Sequence, residues 1–225
     1  MLSQAIGDLL PAAVAVALSP IPIVAIVVVL GTSRARVNGV AFALGWVVGL
    51  TVVSAAVVGL LGGSDDADSA TATGAGAMQL VLGALLLVLA ARKWRSRPRA
   101  GDEPEMPKWM DSVDHMSTLR ALVLGVALSA VNPKNLALTA SASASIAQAG
   151  LGTTDTVVAI AVFVLIGSVT VAGAVLAALL APRRTAAPLA AIKSFMSANN
   201  AVIMMVILLV FGAKLLGEGI AGLVG

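Results

Sequence analysis

A lysine stands in the middle of an apolar run of this chain, in the sequence Asn132-Pro133-Lys134-Asn135. At the bilayer centre a lysine costs ~2.5–3.5 kcal/mol on insertion scales, and there it stands too deep for its amine to reach the interface easily. Three kinds of work repay that cost: passing a proton, holding an anionic headgroup as ammonium, or capping carbonyls left free by Pro133. The residue types leave all three open. A second irregular stretch, Ser19-Pro20-Ile21-Pro22, interrupts another apolar run near its midpoint. Two prolines there remove two backbone donors and clash with the preceding turn, which predicts a broken helix. Broken backbone at membrane depth is tolerated only where protein or a water-filled cavity satisfies the freed groups, and transporters build midplane sites from such breaks. The expected substrate-binding set is Ser19, Pro20, Pro22, Asn132, Pro133, Lys134, Asn135 and Thr139. Thr139 begins a polar run with Ser141, Ser143 and Ser145 that serves either an outward path or close helix contacts.

The elements that hold these residues follow from composition. Of 225 residues, 59% are apolar and 11% charged, with mean hydropathy +1.03. That is the make-up of a membrane protein, with little left for an extramembrane domain. Apolar runs predict six spans near 5–31, 37–62, 76–94, 119–148, 153–181 and 199–222. Arg34 and Arg36, the group from Arg92 to Lys108, and Arg183, Arg184 and Lys193 fill alternate connections, whereas Asp65, Asp66, Asp68 and Asp155 fill the others. The basic connections belong to the cytoplasm, so both termini are expected outside a cytoplasmic (inner) membrane. Lys214, near the end of span six, is expected to snorkel, and Asp8 to sit at the interface. Asn199 and Asn200 read as a cap or interface feature where span six begins.

Val16-Ala17-Leu18-Ser19 recurs as Val126-Ala127-Leu128-Ser129, each followed by proline, and Ala41 and Gly49 are echoed by Ala159 and Gly167. Span one and span four run in opposite directions under this topology. The expected fold is therefore all-α, six transmembrane helices as a 3+3 inverted repeat with Pro-broken helices one and four. It forms a single transmembrane domain over 1–225: repeat one 1–95, a cytoplasmic loop 92–118 and repeat two 119–225.

Several functions are excluded by what is missing. Without cysteine there is no disulfide, thiolate metal site or thiol relay. The single histidine, His115, lies in a loop, and no carboxylate cluster lies within the spans, so no metal, cofactor or catalytic residue is expected and the chain is not read as an enzyme. The basic residues flank spans as topology signals rather than forming a nucleic-acid surface. Arg92-Lys93-Trp94-Arg95-Ser96-Arg97-Pro98-Arg99 orients the protein and also suits anionic phospholipid headgroups. Downstream, Trp109, Met110, Val113 and Met116 share one face of a possible surface helix. Gly45 and Gly49 permit close helix contact.

Pro107-Lys108-Trp109-Met110, Arg120-Ala121-Leu122, the run from Gly125 through Asn132-Pro133-Lys134-Asn135 to Leu136, and Ser19-Pro20-Ile21-Pro22-Ile23 resemble the GAP family of actinobacterial membrane proteins. These are the peptidoglycolipid- and sulfolipid-addressing proteins. The resemblance covers the chain in length, span number and motif order, and the Asn-Pro-Lys motif also resembles the wider lysine-exporter superfamily. It implies delivery of lipids or glycolipids to the cell envelope, beside large exporters of the resistance-nodulation-division type. The superfamily implies instead proton-coupled export of amino acids or other small solutes. A third reading is a non-transporting assembly subunit that docks an exporter through the Gly45/Gly49 face or the loop 92–118; self-association into a homo-oligomer is a separate expectation, with no surface assigned to it.

Overall fold

The computed structural model describes residues 1–62, 67–95 and 116–224, with side chains described over 1–61, 76–95 and 116–222. Asp65, Asp66, the Asp68 side chain, Arg97, Arg99, the segment Pro107-Lys108-Trp109-Met110 and His115 lie outside the described residues. Within them the chain forms α1 (Leu2–Ala17), α2 (Pro20–Leu30), α3 (Ala35–Gly62), α4 (Ala67–Arg95), α5 (Thr118–Val126), a π turn (Ala127–Val131), α6 (Pro133–Gln148), α7 (Thr153–Leu180) and α8 (Pro182–Val224). α3, α4, α7 and α8 contain stretches long and apolar enough to cross a membrane. The pairs α1/α2 and α5/α6 reach that length together but bend by 50° and 61°, giving up to six spans. Leu44, Val48 and Val52 of α3, Leu165, Val169 and Leu176 of α7, and Val206, Leu209 and Val210 of α8 are exposed, an apolar belt that lipid accepts and water does not. The molecule is an all-helical, multi-pass membrane protein.

Both expected breaks are present, and one residue drives each. The residue before a proline is pushed out of the helical region. Ser19 adopts φ −69°, ψ 114° before Pro20, and Asn132 adopts φ −61°, ψ 119° before Pro133. Each proline then opens the next helix at a position where its missing N–H costs nothing.

One expected boundary is corrected. Residues 182–198 are not a connection but the first turns of α8, which runs unbroken through span six. Pro182 sits at the start, only Pro188 opposes the helix, and no glycine follows until Gly212. Asn199 consequently does not cap span six: it lies inside α8, its amide donating to the Phe195 carbonyl at 2.9 Å. α4 likewise starts at Ala67, earlier than the apolar run.

α3 crosses α5 at backbone contact. A Cβ on Gly45 would lie 2.1 Å from the Leu122 carbonyl oxygen, and one on Gly125 would lie 2.2 Å from the Phe42 oxygen. The side chain of Ser129 fills the space over Gly49. The Gly45/Gly49 face is thus consumed inside the chain, which removes it as a surface for docking an exporter. Trp46, fully buried beside this crossing, donates from Nε1 to the Gly167 carbonyl of α7 at 3.3 Å.

Asn38, also fully buried, ties α3 to the start of α5. Its amide donates to the Met116 carbonyl at 2.9 Å, and its oxygen accepts from the Thr118 hydroxyl at 3.2 Å. Asn38→Leu leaves both partners unpaired, and a loss of about 1–3 kcal/mol is expected. Thermal unfolding in detergent, compared with Asn38→Asp, reads the loss.

Candidate substrate site at the paired helix breaks

The two breaks are sutured to each other by two adjacent side chains. At the end of α1 the Ser19 amide bonds to the Val16 carbonyl at 3.2 Å, out of α-helical step, which frees the Ala15 carbonyl. Lys134 Nζ donates to that carbonyl at 2.7 Å and to Ser19 Oγ at 2.6 Å. Ser19 Oγ in turn donates to Asn135 Oδ1 at 2.7 Å. In the second break the Asn132 amide bonds to the Ala127 carbonyl at 3.1 Å, the π step, which frees the Leu128 carbonyl. Asn135 Nδ2 takes it at 2.8 Å. Asn132 caps α6, its Oδ1 accepting from the Lys134 amide at 3.1 Å. Thr170 of α7 donates to the Ala17 carbonyl at 2.6 Å. The groups freed by both breaks are thus satisfied by side chains, as low-dielectric burial demands.

Lys134 has a second aspect. A cavity of about 310 Å³ opens beside it, lined by Ile21, Leu89, Arg92, Lys93, Asn132, Pro133, Lys134, Met204 and Leu208. Three cations and no carboxylate meet an apolar wall. Lys134 is 2% exposed, and among the described residues no carboxylate pairs with it. A basic group buried in such a wall without an anionic partner carries a desolvation cost that an anion would offset.

Of the expected set, Asn132, Pro133 and Lys134 line this cavity, while Ser19 and Asn135 sit behind it holding the lysine. Pro20 and Pro22 are buried in the first turn of α2 and shape the break without lining the cavity. Thr139 is fully buried, away from the cavity, its hydroxyl without a partner. Ser143, one turn on, is alike, whereas Ser145 bonds back to the Ser141 carbonyl at 3.3 Å.

A larger cavity of about 610 Å³ lies at the opposite end of the same helices, lined in part by Gln4, Asp8, Gln79, Ser145, Gln148 and Glu218. On α4 the rise from Gln79 to Lys93 is about 21 Å. The two cavities share helix faces. Lys134, Leu138, Ser141, Ser145 and Gln148 follow steps of four and three along α6, as do Gln79, Leu82, Leu86, Leu89 and Lys93 on α4 and Leu208, Phe211, Leu215 and Glu218 on α8. Between the cavities these faces carry Leu86, Leu138 and Leu215, all buried to within 1%.

A family model described as Sap, sulfolipid-1-addressing protein, matches residues 9–221. The chain belongs to the sulfolipid-1-addressing protein family. The match runs from α1 into the last turns of α8, so both breaks and the lining of the Lys134 cavity fall within it, whereas Gln4 and Asp8 of the second cavity precede it. No curated protein and no solved structure matches the chain.

Sequence reasoning missed the cavity wall of this sulfolipid-1-addressing family member. Arg92 and Lys93 read in the sequence as topology signals suited also to anionic headgroups, but not as the wall of a cavity shared with Lys134. Leu89, Met204 and Leu208 look like any lipid-facing residue, and only the packing of α4 on α8 turns them inward. Glu218 also went unread: it pairs with Lys214, one helical turn before it.

Proposed function

We propose that this protein moves a lipid with an anionic headgroup, glycolipids included, across or within the cytoplasmic membrane toward the cell envelope. The carrying observation is the chemistry of the Lys134 cavity. Ile21, Leu89, Met204 and Leu208 suit an acyl chain or the glycerol region, and Arg92, Lys93 and Lys134 suit a phosphate or sulfate. A hydrophilic solute would leave that apolar wall unused. The family description, which speaks of addressing a sulfolipid, supports the same substrate class.

Positive charge bias places the Arg92/Lys93 end on the cytoplasmic side, so the Lys134 cavity would load from the inner leaflet. An inverted repeat supplies the means of alternating access. Its support is reciprocal packing: α3 lies on α5 as α7 lies on α1, and Gly49 meets Ser129 and Val126 as Gly167 meets Val16. Those are the positions that echo one another in the two halves of the sequence.

The test is a lipid-movement assay in proteoliposomes, with headgroup-labelled phosphatidic acid and phosphatidylcholine read by protection from an impermeant quencher. The wild type is expected to move phosphatidic acid faster, and the double substitution Arg92→Gln with Lys93→Gln to remove most of that preference. Equal rates for both lipids in the wild type would overturn the anionic-lipid reading. Lipid movement absent while a proton-coupled solute flux is present would favour a solute exporter, for which the unpartnered hydroxyls of Thr139 and Ser143 would be the polar path.

A further inference from the structure

We infer that the second cavity, lined by Gln4, Asp8, Gln79, Ser145, Gln148 and Glu218, is a separate binding site for a neutral, hydroxyl-rich group such as a sugar ring. Its chemistry differs from that of the Lys134 cavity. Three carboxamides and one hydroxyl dominate the polar lining, and each offers both a donor and an acceptor. A hydroxyl group does the same, so vicinal hydroxyls pair with carboxamides on both counts. An anion would use only the donors and would face Asp8. A cation would use only the acceptors and would leave the carboxamide donors idle. The volume of about 610 Å³ is far beyond a lone ion and falls within the range of small-molecule sites.

One polar atom in this cavity is built in without a protein partner. Glu218 Oε2 is buried and accepts no hydrogen bond among the described residues. Gln79, 2% exposed, lines the same cavity. A buried acceptor left without a partner costs free energy that a ligand hydroxyl would recover. The site also ends the helix faces that begin at Lys134, with Leu86, Leu138 and Leu215 between them. A headgroup that leaves the basic cavity along these faces would therefore arrive where hydroxyls rather than charge are recognised. That last step rests on the lipid reading; the binding itself does not.

The experiment is binding to the purified full chain by native mass spectrometry and calorimetry, with maltose, monoglucosyl diacylglycerol and phosphatidic acid as probes. Gln79→Leu and Gln148→Leu are compared with the wild type. Gln148 is exposed on the rim, so its replacement does not threaten folding. Saturable binding of the glucosyl lipid, weakened about fivefold or more in both variants, is expected. Binding of maltose with the same weakening means that free hydroxylated solutes also enter; a glucosyl lipid that binds without maltose means that the ring must come on a lipid. Binding of the glucosyl lipid that is unchanged in both variants, or no binding of either sugar probe, overturns the inference. Phosphatidic acid on the same samples reports the basic cavity. Its binding without sugar binding sinks only this site, and the reverse result sinks only the anionic-lipid reading.

Discussion

Lys134→Met is expected to weaken binding of phosphatidic acid tenfold or more while leaving the melting temperature within a few degrees of the wild type. Methionine matches the lysine stem in length and adapts to irregular space, so packing is largely kept. The variant loses the donors to the Ala15 carbonyl and Ser19 Oγ, and an unsatisfied buried carbonyl costs about 1–3 kcal/mol. Against that, it no longer buries an amine that has no carboxylate partner, which relieves a desolvation penalty of similar or larger size. Ser19 Oγ still bonds to Asn135, so the suture between the breaks is thinned rather than cut. Stability and affinity therefore separate. If Lys134 were only a cap for the first break, the melting temperature would drop sharply and lipid affinity, measured on the surviving folded fraction, would hold. Native mass spectrometry with thermal unfolding on one preparation reads both quantities, and that second pattern would end the proposed role.

Gly125→Leu is expected to yield no monodisperse protein. The new Cβ would lie 2.2 Å from the Phe42 oxygen and 2.8 Å from the Trp46 amide nitrogen, and both are backbone atoms that no rotamer change can move. Overpacking against side chains costs about 1–3 kcal/mol, and here α5 would have to leave α3 altogether, so the cost exceeds that range. The displacement would carry the π turn and Asn132 with it, and with them the Lys134 amine. Fluorescence-detected size exclusion of Gly125→Ala and Gly125→Leu gives the measurement. A graded loss from alanine to leucine is expected, and a leucine variant with wild-type elution and yield would refute the close crossing.

Much of this was written in residue types. The prolines announce both breaks because a proline cannot donate and pushes the residue before it out of the helix. The six apolar runs and their flanking charges announce the spans because lipid accepts only internally bonded, apolar helices. Lys134 stood out because burying an amine in a membrane is costly. Where local rules were ambiguous, reading failed. The stretch 182–198 is polar enough for a loop and alanine-rich enough for a helix, and only its continuity with α8 decides. The small-residue spacing of Gly45 and Gly49 says that something comes close, but not whether the partner is another protein or the chain's own α5.

Residue types and their immediate neighbours are enough to show a membrane protein with two broken helices and one buried lysine, because each is a local property. What the lysine touches depends on how distant helices pack. The lysine caps the break in the other half of the chain and shares a cavity wall with Arg92 and Lys93 of α4. The same packing decides that the faces of α4, α6 and α8 end at a second, carboxamide-lined cavity. The capping contact joins residues 119 positions apart, and no periodicity within a helix encodes which of its neighbours a side chain will meet.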